Sequence, residues 1–195
     1  MGSDYERELR DCLSAEPSFV TWALRQLPAE QAEAYRRIGE APFLVLRAAG
    51  SFGCDLVALR RDVAFPVEVK SSVEERIHFA SRRGRDAEQA AEFAQKTGTA
   101  GVIAIYAFRL KGVRGDDPWR VFALPLPDDG AALAPRVGIL YRRLPKVGAS
   151  KNGNLVLRWG DGMPLHKFID YLCPAAAAPS AAAQTPAAPP VPLAP

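Results

Sequence analysis

Apolar residues recur along this chain with two periods, and their alternation sketches the elements. Tyr5, Leu9, Cys12 and Leu13 recur at helical spacing behind Ser3-Asp4-Tyr5-Glu6, which reads as a capping box, so a first helix is predicted over about 4–13. Two further helical stretches, Phe19 to Leu27 and Ala29 to Ile38, are punctuated by Pro17 and Pro28. Phe43 to Arg47, Leu56 to Leu59 and Val67 to Val69 then read as short strands, the last two forming a hairpin through Arg60, Arg61 and Asp62. Pro66 lacks an N–H, which places it at a strand's start or on an edge where no partner accepts from it. Ala87, Ala90, Ala91 and Ala94 mark one face of a later helix with Gly98 as its stop. Gly101 to Phe108 reads as a buried strand, and Trp119 to Leu124 as another.

Residues 128–150 lack strong periodicity and hold several turn formers. Beyond them a strand is expected over Asn154 to Trp159, a turn at Asp161-Gly162, and a short helix over Pro164 to Leu172 that docks on the core. From Pro174 onward the sequence is almost wholly Ala and Pro, a composition that predicts disorder because it cannot build a core. The element order predicts an α/β fold, a central mixed sheet flanked by helices.

Composition narrows the class without naming a function. The chain has 195 residues, 48% hydrophobic and 24% charged, as a soluble globular protein has. Its net charge of +3 gives little support for a polyanionic partner, but Arg60-Arg61, then Arg82, Arg83 and Arg85, then Arg142, Arg143 and Lys146 are local clusters able to meet phosphates or to stay solvated. Cys12, Cys54 and Cys173 fit neither a zinc pattern nor a disulfide framework, so a reducing cytoplasm is expected. No apolar run approaches the roughly 18 residues that span a bilayer, and neither secretion nor membrane insertion is expected.

Chemistry concentrates in Asp55 and the run Phe65-Pro-Val-Glu-Val-Lys70. Side chains alternate along a strand, so Glu68 and Lys70 share one face while Val67 and Val69 take the other. An acid and a base on an otherwise apolar strand are costly unless each pairs with the other, a metal or a charged substrate. Two carboxylates with phosphate oxygens suit Mg²⁺, so Asp55 and Glu68 are candidate ligands, and Lys70 is placed to hold a water or offset transition-state charge. Taken alone, Glu-Val-Lys also fits the exposed face of an ordinary strand. His78 and His166 are too few for a histidine metal site, and no Walker pattern or Ser-His-Asp context is present.

With these residues in place, the chain resembles the PD-(D/E)xK nuclease superfamily and, within it, the archaeal-type Holliday junction resolvases. The resemblance is carried by Tyr5-Glu6-Arg7-Glu8-Leu9, the Arg47-Ala-Ala-Gly-Ser51 turn, Asp55-Leu-Val-Ala, Glu68-Val-Lys70, Glu92-Phe-Ala and Trp119-Arg-Val-Phe, and it spans most of residues 1–125. It implies a restriction-endonuclease-like core and a homodimer that nicks four-way junction DNA with Mg²⁺ or Mn²⁺ in recombination and repair, in the cytoplasm at the nucleoid, with recombination or replication proteins as candidate partners. By position, Asp55 and Glu68 would bind metal, Glu6 would complete the acidic site as a third metal ligand, and Lys70 would be the catalytic lysine. Arg7 and Arg47 would contact phosphate, and Ser51 would sit in the turn beside the cleaved backbone. Arg82 and Arg83 would add phosphate contacts, and Phe52 would either stack on a base or pack locally. Glu6 alternatively closes the capping box, Arg7 and Arg47 alternatively form surface ion pairs, and Ser51 alternatively serves the turn alone.

The resemblance also implies a division of the chain. A nuclease core over 1–127 would carry a helical insertion at about 14–42, followed by a C-terminal extension over 128–173 packed on the core and the Ala/Pro tail over 174–195. Two alternatives stay open: a restriction-like or repair nuclease acting on duplex, flap or damaged DNA, and a DNA-binding protein of the same fold without catalysis.

Overall fold

The computed structural model describes residues 2–48, 53–79, 85–126, 128–151 and 154–173. Ser51, Phe52, Arg82, Arg83 and the Ala/Pro tail lie outside the described residues. The first helix, α1 (Gly2–Leu13), buries Leu9, Cys12 and Leu13 as its spacing requires. Two helices follow, α2 (Pro17–Gln26) and α3 (Ala29–Arg37), and their Phe19, Ala23, Ala34 and Tyr35 join the same core.

The meander is longer than its apolar residues suggest: β1 (Leu44–Arg47), β2 (Leu56–Arg60) and β3 (Val63–Ser72) pair antiparallel in sequence. Pro66 sits inside β3 opposite Val57, and the ladder on the other edge begins only at Val67, so its missing N–H leaves that ladder intact. A three-residue strand, β4 (Arg76–His78), comes before α4 (Arg85–Thr99), β5 (Ile105–Leu110) and β6 (Trp119–Ala123). Residues 128–150 are more ordered than their weak periodicity suggests, with α5 (Pro135–Arg143) and β7 (Gly148–Ala149). The chain then forms β8 (Leu155–Arg158), β9 (Met163–Pro164) and α6 (Leu165–Leu172), with a 3₁₀ turn over Trp159–Asp161.

The central sheet has the order β1-β2-β3-β5-β6-β9, antiparallel except for the parallel β3–β5 pair, so it is the mixed sheet expected. One face carries α1, α2, α3, α5 and α6 over a core that includes Phe65, Tyr35 and Phe168. The other face packs Tyr106, Phe108 and Phe122 against α4 and a small second sheet, β4-β8-β7. Gly162 permits the close pass of the chain into β9, because a Cβ there would lie 2.5 Å from Arg120 Cβ. Among the described residues no helix is long and apolar enough to cross a membrane.

Three sequence expectations about α4 and β5 need correction. The buried stripe of α4 is Ala90, Phe93, Ala94 and Thr97, and Ala91 is exposed; the bulky Phe93 sets the helix's rotation where alanines alone cannot. The helix stops at Gly101 rather than Gly98: Gly101 has φ +68 and donates to Gly98 O, while Val102 donates to Thr97 O, a Schellman closure that only glycine accommodates easily. That closure uses the first residues of the expected strand, so β5 starts at Ile105 and not at Gly101.

Candidate active site

Strand β3 carries Glu68 and Lys70 on one face, as alternation requires, and Glu68 Oε1 accepts from Lys70 Nζ at 2.7 Å. Asp55 stands immediately before β2, where its N–H donates to Val67 O. Its Oδ2 accepts from Val69 N at 2.7 Å, so the backbone of the catalytic-strand candidate orients it. The two carboxylates and the lysine line one cleft of about 180 Å³ with Cys54, Phe79, Gln89 and Tyr106.

Glu6 approaches from α1 and accepts from Arg47 Nη2 of β1 at 2.6 Å. Arg47 is largely exposed while Glu6 is largely covered. Arg7, its neighbour, faces solvent. Thus Glu6, Arg47, Asp55, Glu68 and Lys70 gather at one place, and Arg7 lies on the surface of the same helix.

Electrostatics at the cleft are unfavourable for acids. Burial pushes the Asp55 carboxyl above the ordinary aspartate range; the Val69 N–H and the charges of Lys70 and Arg47 pull it back, and Glu6 pushes it further. Burial likewise raises Glu68, against the pull of Lys70 and with added repulsion from Asp55 and Glu6. The Cys54 thiol is pushed up to about 11 by burial and then by Glu68 and Asp55, which keeps it a neutral wall. Acids that raise one another in a cleft make these residues functional-site candidates.

Several lining residues escaped the sequence reading. Tyr106 lies opposite Glu68 in the β3–β5 register, and its signal was a polar-tipped ring inside an otherwise apolar run. Gln89 and Phe79 reach the cleft from segments whose placement depends on tertiary packing. His166 is buried, its Nδ1 2.9 Å from Asp117 Oδ2, and His78 is exposed; neither belongs to the cleft. A larger cavity, about 460 Å³, lies between α5, α6 and Val63 and is walled by Val137, Ile139, Leu140 and Tyr171. It holds no comparable cluster, so size alone misplaces the chemistry.

The family model for the archaeal Holliday junction resolvase (Hjc) matches residues 29–128, just over half of the chain. The chain belongs to this family. The matched stretch contains Arg47, Asp55, Glu68 and Lys70 and includes α3, whereas α1 with Glu6 and Arg7 lies outside it. The resemblance therefore takes in residues 29–42, expected above to be part of an insertion. Among solved structures, Archaeoglobus fulgidus Hjc, a Holliday junction resolvase from an archaeal hyperthermophile, is 20% identical, with 64% of this chain and 87% of that one covered at a TM-score of 0.38. No curated protein matches the chain.

Proposed function

We propose that this member of the resolvase family is a structure-selective endodeoxyribonuclease that resolves four-way DNA junctions by metal-dependent hydrolysis of phosphodiester bonds, as a homodimer, in recombination and repair. The observation that carries the reading is the convergence of Asp55, Glu68 and Lys70 on one cleft inside the stretch that the family model matches.

The donor set suits Mg²⁺ or Mn²⁺. Asp55 Oδ1 and Glu68 Oε2 receive no hydrogen bond from described residues, and both carboxyls are raised by burial and by their neighbours. Among the described residues no group of three His, Cys, Asp or Glu side chains can cage an ion. Two carboxylates, water and substrate oxygens are a common set for such a hard cation. When bound, the cation would supply polarisation of the scissile phosphate and a water of lowered pKa.

The chain's own residues supply the rest. Lys70, held by Glu68, places a positive charge where a pentavalent phosphate gathers negative charge. Arg47 offsets Glu6 and, being largely exposed, offers a guanidinium to the DNA backbone; Arg7 extends that edge. Selectivity for a junction would then come from phosphate positions and shape rather than base edges.

The test is cleavage of a four-way junction, a flap and a linear duplex with Mg²⁺ or Mn²⁺, with and without chelator. Paired nicks in the junction that the chelator abolishes are expected. Preferential cutting of the flap or duplex would replace junction resolution by a repair or restriction-like activity, and no cutting of any substrate would leave a DNA-binding protein.

A further inference from the structure

Phe79 lies outside the acidic cluster, yet it forms a wall of the cleft and is only 5% exposed. Its ring centroid is 6.0 Å from Lys70 Nζ, and it meets Tyr106 edge-on at 5.2 Å. Tyr106 is in turn the register partner of Glu68 and touches Phe93 of α4 edge-on at 6.5 Å. The ammonium of Lys70 thus stands between the Glu68 carboxylate and an aromatic face. A lysine side chain has about 2 kcal/mol of rotamer entropy to restrain, so a second anchor narrows where its charge can go.

What holds the ring is remote in sequence. After Ser72 the chain leaves the central sheet, and β4 is three residues long, too short to be stable alone. Strand β8 pairs with it at Arg76↔Arg158, Ile77↔Leu157 and His78↔Val156. Phe79 N donates to Leu155 O at 3.0 Å, and Trp159 N closes the other end on Glu75 O at 2.8 Å. Strand β8 is itself anchored, since Val156 and Leu157 are fully buried.

We infer that Phe79 is a positioning residue for Lys70, and that β8 of the C-terminal segment holds it in place. The inference rests on the nuclease reading above. It makes residues 155–158 part of the working unit rather than an appendage.

The experiment compares full-length Phe79→Leu and Phe79→Tyr in single-turnover cleavage of a four-way junction, alongside junction affinity and thermal melting. Phe79→Leu keeps bulk but removes the ring, so its rate should fall about tenfold at unchanged affinity, as expected when a reacting group is loosened rather than lost. Phe79→Tyr should cut at nearly the wild-type rate. If Phe79→Leu unfolds, Phe79→Met takes its place, with the same loss expected. Equal cleavage by wild type and the ring-less variant overturns the inference alone, as does equal loss in Phe79→Leu and Phe79→Tyr, or a rate loss matched by lost affinity. A wild-type protein that cuts no DNA sinks both this inference and the reading on which it rests.

Discussion

Asp117 and the Asp55–Glu68 pair are all carboxylates drawn into the fold, and they are treated in opposite ways. Asp117 is wholly buried and surrounded by donors: Trp119 N at 3.0 Å, His166 N at 2.8 Å and the Tyr35 side chain, with His166 Nδ1 at 2.9 Å. Gln31 adds a clasp, donating to Asp116 and accepting from Asp117 N. One acid thereby ties α3 and α6 to the start of β6. Asp55 and Glu68 are only half-buried but have one hydrogen-bond donor each among the described residues, and they repel each other and Glu6. A saturated carboxylate is a structural tie, whereas a crowded, undersupplied pair is where the proposed cation would offset the repulsion.

The sharpest way to break that contrast is to neutralise the site. Asp55→Asn keeps an acceptor for Val69 N, and Glu68→Gln keeps the shape, but each should lower junction cleavage by about 10³-fold or more, because a proposed metal ligand and its charge are gone. Junction affinity should remain, and thermal stability of the metal-free protein should hold or rise, since repulsion is relieved at an active site that trades stability for function. Full cleavage by either variant eliminates the proposed site.

Asp117→Ala should do the reverse. It strands donors in the core, with an expected cost of about 3 kcal/mol. At this chain length that corresponds to a melting temperature lower by about 6–12 °C. Cleavage per folded molecule should be nearly unchanged. A variant that melts normally but cuts poorly would move Asp117 from structure to chemistry.

The two kinds of carboxylate were not equally legible. Asp55, Glu68 and Lys70 could be read because strand alternation is local and a short hairpin fixes their register. Asp117 is one of two adjacent acids before Pro118 and has no local signal of its role; its burial depends on Gln31, Tyr35 and His166, which only the fold brings together. The same distance effect hid β4, whose partner β8 lies about eighty residues on, and with it Phe79. Helix α5 hid differently: Val137, Leu140, Tyr141 and Leu144 do carry helical spacing, and Pro135 suits a first turn, but Gly138 and the nine-residue length dilute the pattern.

Asp62 extends the comparison to pH, as a surface-edge acid on the donor-rich side. Burial would raise its carboxyl, but hydrogen bonds from and proximity to Arg60 outweigh that and hold it below the usual aspartate range, with Arg136 adding at 2.9 Å. A depressed folded-state value contributes stability above the unfolded pKa, near 4, that is lost as pH falls through the lower folded value. Urea melts should therefore show Asp62→Asn weaker than wild type by about 1 kcal/mol near neutrality. The two should converge in strong acid. A gap that persists there would mean that the pair acts through packing rather than charge.

The smallest effects should separate the two arginines at the rim. Arg47→Ala removes the proposed phosphate contact and also the partner of Glu6, leaving another uncompensated acid beside Asp55 and Glu68. Arg7→Ala removes an exposed cation that meets no carboxylate among the described residues. Each should reduce the salt dependence of junction binding by about one unit of slope, as one lost phosphate contact does. Only Arg47→Ala should also slow cleavage at saturating DNA, by a few-fold, because only it changes the charge balance around the reacting phosphate. If Arg7→Ala slows cleavage equally, the Glu6–Arg47 ion pair is not what distinguishes them, and the acids of the cleft are less sensitive to their rim than their mutual repulsion implies.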